Sequence, residues 1–188
     1  HVVDLIEHPQ KFISDLAVIG VYYFKEIEVL KDQLEKALQL KKDNEGEFYI
    51  NDGILRLIEI GLEVNSNKVS SWLDCGNVKK SIEANNKMLS FHKKDNVKLI
   101  SDKKKLINSK IIEPCYIGDN VFIENSTIGP FVSIGNDTKI LNTEISNSII
   151  QSCSEIKNAN IKNSMIGSFC KYNGKPNQVN IGDYSEIT

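Results

Sequence analysis

A run of isoleucines in the second half of this 188-residue chain restricts its fold more than any other feature. Apolar faces of helices recur every three or four residues, and those of hairpin strands every two. Steps of five and six residues instead fit a coil of three short strands per turn, with each isoleucine directed at the axis and stacked on the coil below. The isoleucines that follow this spacing are Ile117, Ile123, Ile128, Ile134, Ile140, Ile145, Ile150, Ile156, Ile161 and Ile166. The sequence therefore predicts a parallel β-helix over residues 106–188, in coils of 16 to 17 residues that start at Ile117, Ile134, Ile150 and Ile166.

The corners of this β-helix have their own signal. Every five-residue step carries an asparagine two places after its isoleucine, at Asn125, Asn142, Asn147, Asn158 and Asn163. Asparagine tolerates the left-handed backbone that a short corner needs, and stacked asparagines can hydrogen-bond from coil to coil. We expect the glycines that directly follow an axial isoleucine to serve the same corners. They are Gly118, Gly129, Gly135, Gly167 and Gly182.

Residues 1–92 predict an α/β unit with a Rossmann-like alternation of strands and helices. Strand-like segments cover 2–6, 15–24, 62–64 and 68–73, and helical patterns cover 26–42, a stretch from Asn51 or Asp52 to Gly61, and 78–91. These strands are too few to close a sheet. We therefore expect this unit to expose apolar surface unless something covers it. The chain begins inside strand-like sequence without a methionine, and we interpret it as part of a longer protein. The charged residues 93–105 are expected to form a linker.

Composition excludes several function classes. The formal charge is −2 and no basic stripe is present, which argues against nucleic-acid binding. No apolar run approaches the roughly 20 residues that cross a bilayer, so no membrane partner is expected. Four widely spaced cysteines favour reduced thiols in a cytoplasmic protein over a zinc site. Arg56 is the only arginine in the sequence, and therefore the only side chain that can bind a phosphate through two parallel hydrogen bonds.

The motif Trp72-Leu73-Asp74-Cys75-Gly76 carries the strongest chemical signal. It places an acidic residue at the end of an apolar segment and just before a predicted helix. A carboxylate in that position can hold a metal ion, or it can cap the helix that starts near Asn77. From the residue alone, both interpretations stay open.

Several motifs together resemble those of the sugar-1-phosphate nucleotidyltransferases, with the glucose-1-phosphate thymidylyltransferase branch the most similar. They follow one another, in order and spacing, at residues 7–9, 14–17, 20–22, 46–52 and 72–76. The resemblance covers residues 1–92, and left-handed parallel β-helices built from hexapeptide repeats are common at the C-termini of such proteins. It implies that a sugar-1-phosphate oxygen attacks the α-phosphorus of an NTP, so that an NDP-sugar forms and pyrophosphate leaves.

The resemblance also implies roles for particular residues. Asp74 would bind Mg²⁺ as the catalytic carboxylate, and Glu7 would accept hydrogen bonds from sugar hydroxyls. His8 stands where the family has a lysine on the sugar phosphate, and a neutral imidazole binds anions more weakly than an ammonium does. The family's Gly-rich G-x-G-T-R-L loop is absent from the sequence, so the chain by itself is expected to be inactive. The remaining pocket residues would be Val18, Gly20, Tyr22 and Trp72.

Plainer interpretations exist for the same residues. Glu7 can be a solvated acid at a strand end, and His8 an exposed turn residue. Tyr22 and Trp72 can be packing residues, since buried aromatic side chains are more often core than ligand.

Two other functions stay open. A hexapeptide acyltransferase generally uses a histidine base near a coil edge, yet His1, His8 and His92 all lie outside the repeats. A non-catalytic homologue that binds sugar nucleotides or scaffolds a partner is the second alternative. Because an uncapped coil end favours self-association, we expect a homo-oligomer, a dimer or a trimer, in each case.

Overall fold

Helices dominate the first half of the chain and short strands the second. The computed structural model describes residues 1–7, 9–40, 49–174 and 178–187. The helices are α1 (Ile27–Leu40), α2 (Ile50–Glu59) and α3 (Val78–Lys94). The strands are β1 (Lys105–Ile107), β2 (Lys110–Ile111), β3 (Cys115–Ile117), β4 (Phe122–Glu124), β5 (Thr127–Ile128), β6 (Val132–Ile134), β7 (Lys139–Leu141), β8 (Glu144–Ser146), β9 (Ser148–Ile150), β10 (Glu155–Lys157), β11 (Asn160–Lys162), β12 (Met165–Ile166), β13 (Lys171–Asn173), β14 (Asn180–Ile181) and β15 (Glu186–Ile187). Two compact units result, His1–Trp72 and Leu73–Thr188.

In the first unit, α1 and α2 pack against each other. Gly53 of α2 lies so close to α1 that a Cβ added there would come within 2.5 Å of a Leu34 methyl carbon. The start of α2 differs from the prediction, because the N-cap position is Tyr49 and not Asn51 or Asp52. Asp52 still contributes, since its carboxylate accepts the Tyr49 N–H at 3.1 Å. The predicted end is confirmed at Gly61, whose φ of +88° follows the last helical turn.

The strands predicted at 2–6, 15–24, 62–64 and 68–73 do not form among the described residues. One backbone hydrogen bond joins two of these segments, from Val2 N–H to the Val64 carbonyl at 2.8 Å. A strand requires a neighbour to satisfy its backbone, and an isolated pair is marginal in water. The apolar patterns are therefore strand-like, but the described chain provides no further strands to pair with them.

The second unit begins with the Asp74 segment and α3. The Asn77 side chain caps this helix by accepting the Lys80 N–H at 3.0 Å. The helix continues to Lys94, past its predicted end at 91, and its last turn carries three basic residues that suit the negative end of the helix dipole. The predicted linker over 93–105 contains ordered structure, because Ile100 bridges to Ile117 and Lys105 opens β1.

The predicted parallel β-helix is confirmed. Three sheets of parallel strands run along it, in the orders β1-β4-β7-β10-β13-β15, β11-β8-β5-β2 and β14-β12-β9-β6-β3. The predicted coil starts at Ile117, Ile134, Ile150 and Ile166 occupy one register column. All ten isoleucines of the series are at most 2% exposed and form the core. At about 0.8 kcal/mol per buried CH₂ group, this axial column is the main apolar stabilisation of the unit.

Two positions extend the axial register in ways that the isoleucine spacing did not indicate, although Leu106 is exposed and only Tyr172 is buried. Leu106 adds a register position below Ile123, and Tyr172 takes the axial position after Ile156. The Tyr172 hydroxyl is buried without a partner among the described residues. Burial accordingly raises the pKa of this phenol.

The asparagine corners are confirmed, and the glycine corners need a correction. All five predicted asparagines have φ between +47° and +52°. Of the five glycines, Gly129 alone has a positive φ, at +109°. Gly118 serves a different purpose, since a Cβ there would lie 2.3 Å from Asn136 Oδ1 in the next coil. Such glycines allow coils to approach closely, and the left-handed residue of that corner comes later, as at Asn120.

Two properties of the whole described chain follow from its elements. No helix in the described ranges is both long and apolar enough to cross a bilayer. The four cysteines are free thiols: Cys75 and Cys153 are exposed, whereas Cys115 and Cys170 are buried in the β-helix. Burial raises the pKa of the Cys115 thiol, which keeps it protonated and unreactive.

Candidate functional site

Asp74 lies in the turn that leads into α3, and its carboxylate is held from two sides. Oδ1 accepts the Gly76 N–H at 2.8 Å, and Oδ2 forms an ion pair with the Lys80 ammonium. The side chain is 29% exposed, so a ligand can reach it. A Cβ at residue 76 would come within 3.1 Å of Oδ1, so glycine there lets the turn close tightly around the carboxylate.

These contacts keep Asp74 ionised. The hydrogen bond from Lys80, followed by that from Gly76, holds the pKa of the Asp74 carboxyl below its usual value. The pairing in turn raises the pKa of Lys80. Solvent reaches both groups and screens the pair, so the pair contributes little to stability. Its consequence is geometric, because it fixes the direction in which an anionic carboxylate points.

The helix-cap interpretation of Asp74 is wrong. Asn77 occupies the N-cap of α3, and its side chain makes the capping hydrogen bond. Asp74 precedes the cap and is bound by Lys80 from the first turn of the helix. Its carboxylate is therefore available for a role other than helix initiation.

The described residues do not by themselves fit a magnesium site. No group of three or more His, Cys, Asp or Glu side chains that could hold a metal occurs within the described ranges. Magnesium binds at protein sites through one or two carboxylates together with substrate phosphates and water. Asp74 offers one such carboxylate, but Lys80 occupies its Oδ2. A magnesium ion would need that oxygen released and further oxygen ligands from outside the described residues.

The residues predicted for the sugar pocket lie in the first unit and are largely exposed. Glu7 Oε2 accepts a hydrogen bond from the Asn51 amide at 2.6 Å. Tyr22 stacks on Phe24, with ring centroids 6.1 Å apart. Glu7 is thus hydrogen-bonded to α2, and Tyr22 packs on an aromatic ring two positions along the chain.

The remaining predicted pocket positions are Val18, Gly20, Trp72 and His8. Val18 is exposed, and Trp72 is 55% exposed, so Trp72 is not the buried packing residue of the plainer interpretation. Gly20 has a φ of +78° and open space around its Cα, which marks a turn in the left-handed region. His8 lies outside the described residues. The assignment of these positions to a sugar pocket stays a prediction.

Sequence analysis missed Lys80. Side chains on a helix point back towards its N-terminus, so a lysine in the first turn of α3 extends towards the segment that precedes the helix. Asn77 marks that first turn in the sequence. The combination of an acidic residue, an asparagine cap three positions later and a lysine three positions after the cap was the available signal.

A groove in the β-helix lies away from Asp74. It has a volume of about 1270 Å³ and follows the asparagine corner of the β-helix, where Asn108, Asn125, Asn142 and Asn158 line it. Those side chains bond to one another from coil to coil, as between Asn108 and Asn125 at 2.8 Å. The asparagine amides of this groove are therefore engaged with one another, which leaves them less available to a ligand.

Comparisons with known proteins find a family match in the first half of the chain and relatives similar along most of its length. Residues 1–90 match the model of the nucleotidyl transferase family. A glucose-1-phosphate thymidylyltransferase of Streptomyces griseus is 29% identical over 203 aligned positions, which cover 98% of this chain and 56% of that protein. A second one, from Streptomyces antibioticus, is 30% identical over 181 positions, or 88% of this chain and 49% of that protein. The chain therefore spans about half the length of the relatives it matches.

These similarities agree with the order of motifs around residues 7–22 and 72–76. They run through the segment that holds Asp74 and continue into the β-helix, because the aligned region covers nearly the whole chain. Residues 1–90 therefore correspond to a nucleotidyl transferase domain, and the chain continues from it into a parallel β-helix.

Proposed function

We propose that the whole protein joins a sugar-1-phosphate to an NTP and releases pyrophosphate. The similarity to glucose-1-phosphate thymidylyltransferases over nearly the full length of this chain carries the proposal. The geometry of Asp74 supports it, since an exposed and ionised carboxylate lies within the family motif. In the proposed reaction the sugar phosphate oxygen bonds to the α-phosphorus as the bond to the β-phosphate oxygen breaks, and pyrophosphate departs.

Positioning and charge neutralisation account for catalysis of such a reaction, with little need for a covalent catalyst. Asp74 would be one carboxylate ligand of Mg²⁺ once Lys80 releases its Oδ2, and the ion would supply positive charge to offset that of the phosphates. Glu7 is proposed to bind sugar hydroxyls, with Val18, Gly20, Tyr22 and Trp72 around the sugar. His8 is proposed to contact the sugar phosphate in place of the family lysine.

The 188-residue chain alone is proposed to be inactive. Its sequence contains one arginine and no G-x-G-T-R-L loop, so it has few groups that bind a triphosphate. The described residues also lack a complete cluster of metal ligands. Its cytoplasmic location and its assembly into a dimer or trimer remain predictions.

The decisive experiment measures pyrophosphate release by the full-length protein, with glucose-1-phosphate and each common NTP, with and without Mg²⁺. We expect metal-dependent release that falls by on the order of 100-fold or more in Asp74→Ala, the range observed when one electrostatic stabiliser is removed. Asp95→Ala is the matched control, because Asp95 is an exposed acid at the other end of α3. Absence of release with every NTP and several sugar phosphates would overturn the proposal in favour of a homologue that only binds.

A further inference from the structure

The Asp74 segment and α3 belong to the same compact unit as the β-helix, Leu73–Thr188. This grouping was not expected, since the sequence placed α3 with the nucleotidyltransferase segment. The proposed catalytic carboxylate of Asp74 is therefore part of the same compact unit as the β-helix. The contacts between α3 and the β-helix show how the two are joined.

Asn86 of α3 completes an asparagine ladder of the β-helix. At the first asparagine corner each amide donates to the asparagine one coil further along, as Asn125 donates to Asn142 at 3.3 Å. At the second corner Asn147 donates to Asn163 in the same direction. One coil before Asn147 the corner residue is Phe131, with a φ of +62°, and its side chain cannot donate a hydrogen bond. The Asn86 amide takes that place and donates to Asn147 Oδ1 at 2.5 Å.

A second contact lies beside the first. The Ser133 hydroxyl of β6 donates to Asn85 Oδ1 at 2.6 Å. On the same helix face, one turn to either side, Ile82 and Leu89 are buried. Lys93, one further turn along, pairs with Glu113 of the β-helix at 3.4 Å. These spacings of three and four residues define a single docking face on α3.

The two asparagines are costly as packing residues. Asn85 Nδ2 and Asn86 Oδ1 are buried without a partner among the described residues. An unpaired buried polar atom costs about 1–3 kcal/mol, whereas an apolar side chain of similar shape would avoid that cost. Their advantage over apolar side chains is directional, because a hydrogen bond fixes the rotation and the axial position of α3.

The N-terminal turn of α3 transmits that position to Asp74. Lys80 holds Asp74 Oδ2, and the Ser81 hydroxyl donates to the Cys75 carbonyl at 3.1 Å. Because helix α3 is continuous from Val78 to Lys94, residues 80 and 81 move together with residues 85 and 86. A shift of α3 on the β-helix would therefore displace the carboxylate.

We propose that the β-helix positions Asp74 through α3, with Asn85 and Asn86 as positioning residues that dock the helix on Ser133 and Asn147. This role rests on the proposed function, for which it identifies the element that orients the carboxylate. Misplacing a reacting or stabilising group by about 1 Å costs up to about 100-fold in rate. The β-helix is then part of the catalytic apparatus without touching substrate.

The test uses the full-length protein and four variants in two matched pairs. Asn86→Leu removes the amide donor at similar size, and Lys87→Leu makes the same substitution at the adjacent exposed position. Ser133→Ala removes the hydroxyl on the β-helix side, and Ser146→Ala removes a hydroxyl from a different sheet. Asn86→Gln, which keeps an amide donor, serves as the rescue variant. The readouts are kcat and KM for pyrophosphate release and hydrogen–deuterium exchange over residues 74–81.

We expect Asn86→Leu to lower kcat about 10- to 100-fold with little change in KM, because the carboxylate acts on the transition state. Ser133→Ala should lower kcat in the same direction, Asn86→Gln should recover part of it, and both controls should match wild type. Faster exchange over 74–81 should accompany each loss of kcat. Exchange and kcat at control levels in both Asn86→Leu and Ser133→Ala would overturn the positioning role. If wild type releases no pyrophosphate, the proposed function fails, and the exchange comparison alone decides the positioning role.

Discussion

At the scale of single residues, the ion pair between Asp74 and Lys80 is the feature that the motif at residues 72–76 could not predict. The motif identifies a carboxylate and the turn around it, but the ammonium that fixes Oδ2 comes from the following helix. The pairing favours the charged form of both groups, since each stabilises the other. The pKa of the Asp74 carboxyl is consequently lower than usual, and that of Lys80 is higher.

Substitution of Lys80 by methionine should raise the pKa of the Asp74 carboxyl towards its ordinary value, because the chief cause of the lowering is removed. The Gly76 N–H remains and should keep part of the effect. In wild type, the folded-state pKa lies below that of the unfolded chain. The pairing is therefore fully formed above the unfolded value and is lost as the pH falls through the folded value.

The measurement is an NMR titration of the labelled Asp74 side-chain carboxyl between about pH 2 and pH 6, a range set by the ordinary aspartate pKa. Lys79→Met is the matched control, since Lys79 is the adjacent exposed lysine on α3. It should leave the Asp74 titration where it is in wild type. Equal titration curves for wild type and Lys80→Met would contradict the pairing.

At the scale of elements, the asparagine ladder combines two functions in one residue type. Asn142 takes a φ of +49° at its corner. It also accepts from Asn125 at 3.3 Å and donates to Asn158 at 3.2 Å. Glycine would supply the backbone conformation without the hydrogen bonds, and alanine would supply neither. Asparagine therefore recurs at these corners for a combined conformational and hydrogen-bonding reason.

Two substitutions at Asn142 should separate these contributions. Asn142→Gly should lower the free energy of unfolding of the β-helix by about 1–2 kcal/mol, from two lost hydrogen bonds. Asn142→Ala should lower it by about 1–2 kcal/mol more, which is the cost of a left-handed residue with a Cβ. Denaturant unfolding followed by circular dichroism measures both. A glycine variant no more stable than the alanine variant would show that the backbone conformation contributes nothing.

The elements also show what sequence reasoning reached in this chain. The isoleucine spacing was sufficient to predict the coils and their register, because each coil supplies the hydrogen-bond partners of the next. The strands predicted at 2–6 and 15–24 do not form for the same reason, because a strand needs a hydrogen-bonded neighbour and the described residues supply none that completes a sheet. Helix α3 was predicted as a helix, but its docking on Ser133 and Asn147 depends on residues 48 and 61 positions away in sequence. Contacts of that separation leave no periodic signal.

At the scale of the whole molecule, the two units differ in how well they bury their apolar residues. The β-helix encloses its axial isoleucines almost completely. The first unit instead leaves several large apolar side chains in solvent, among them Phe12 at 85% exposure and Tyr23 at 89%. This agrees with the expectation that so few strands would leave apolar surface uncovered. Surfaces of this kind bind other apolar groups or associate with one another.

The exposed surface of the first unit leads to a prediction for the isolated 188-residue chain. It should bind the hydrophobic dye 1-anilinonaphthalene-8-sulfonate under native conditions, because Val3, Phe12, Val21 and Tyr23 are all exposed. Replacing these four residues by serine should abolish most of the dye fluorescence and leave the unfolding midpoint of the β-helix unchanged, since the β-helix core lies in the other unit. Serine at Lys98, Lys103, Lys110 and Lys162, four exposed residues of the second unit, is the control and should leave dye fluorescence at its wild-type level. Dye fluorescence that persists in the four-serine variant would show that these four side chains do not form the dye-binding surface.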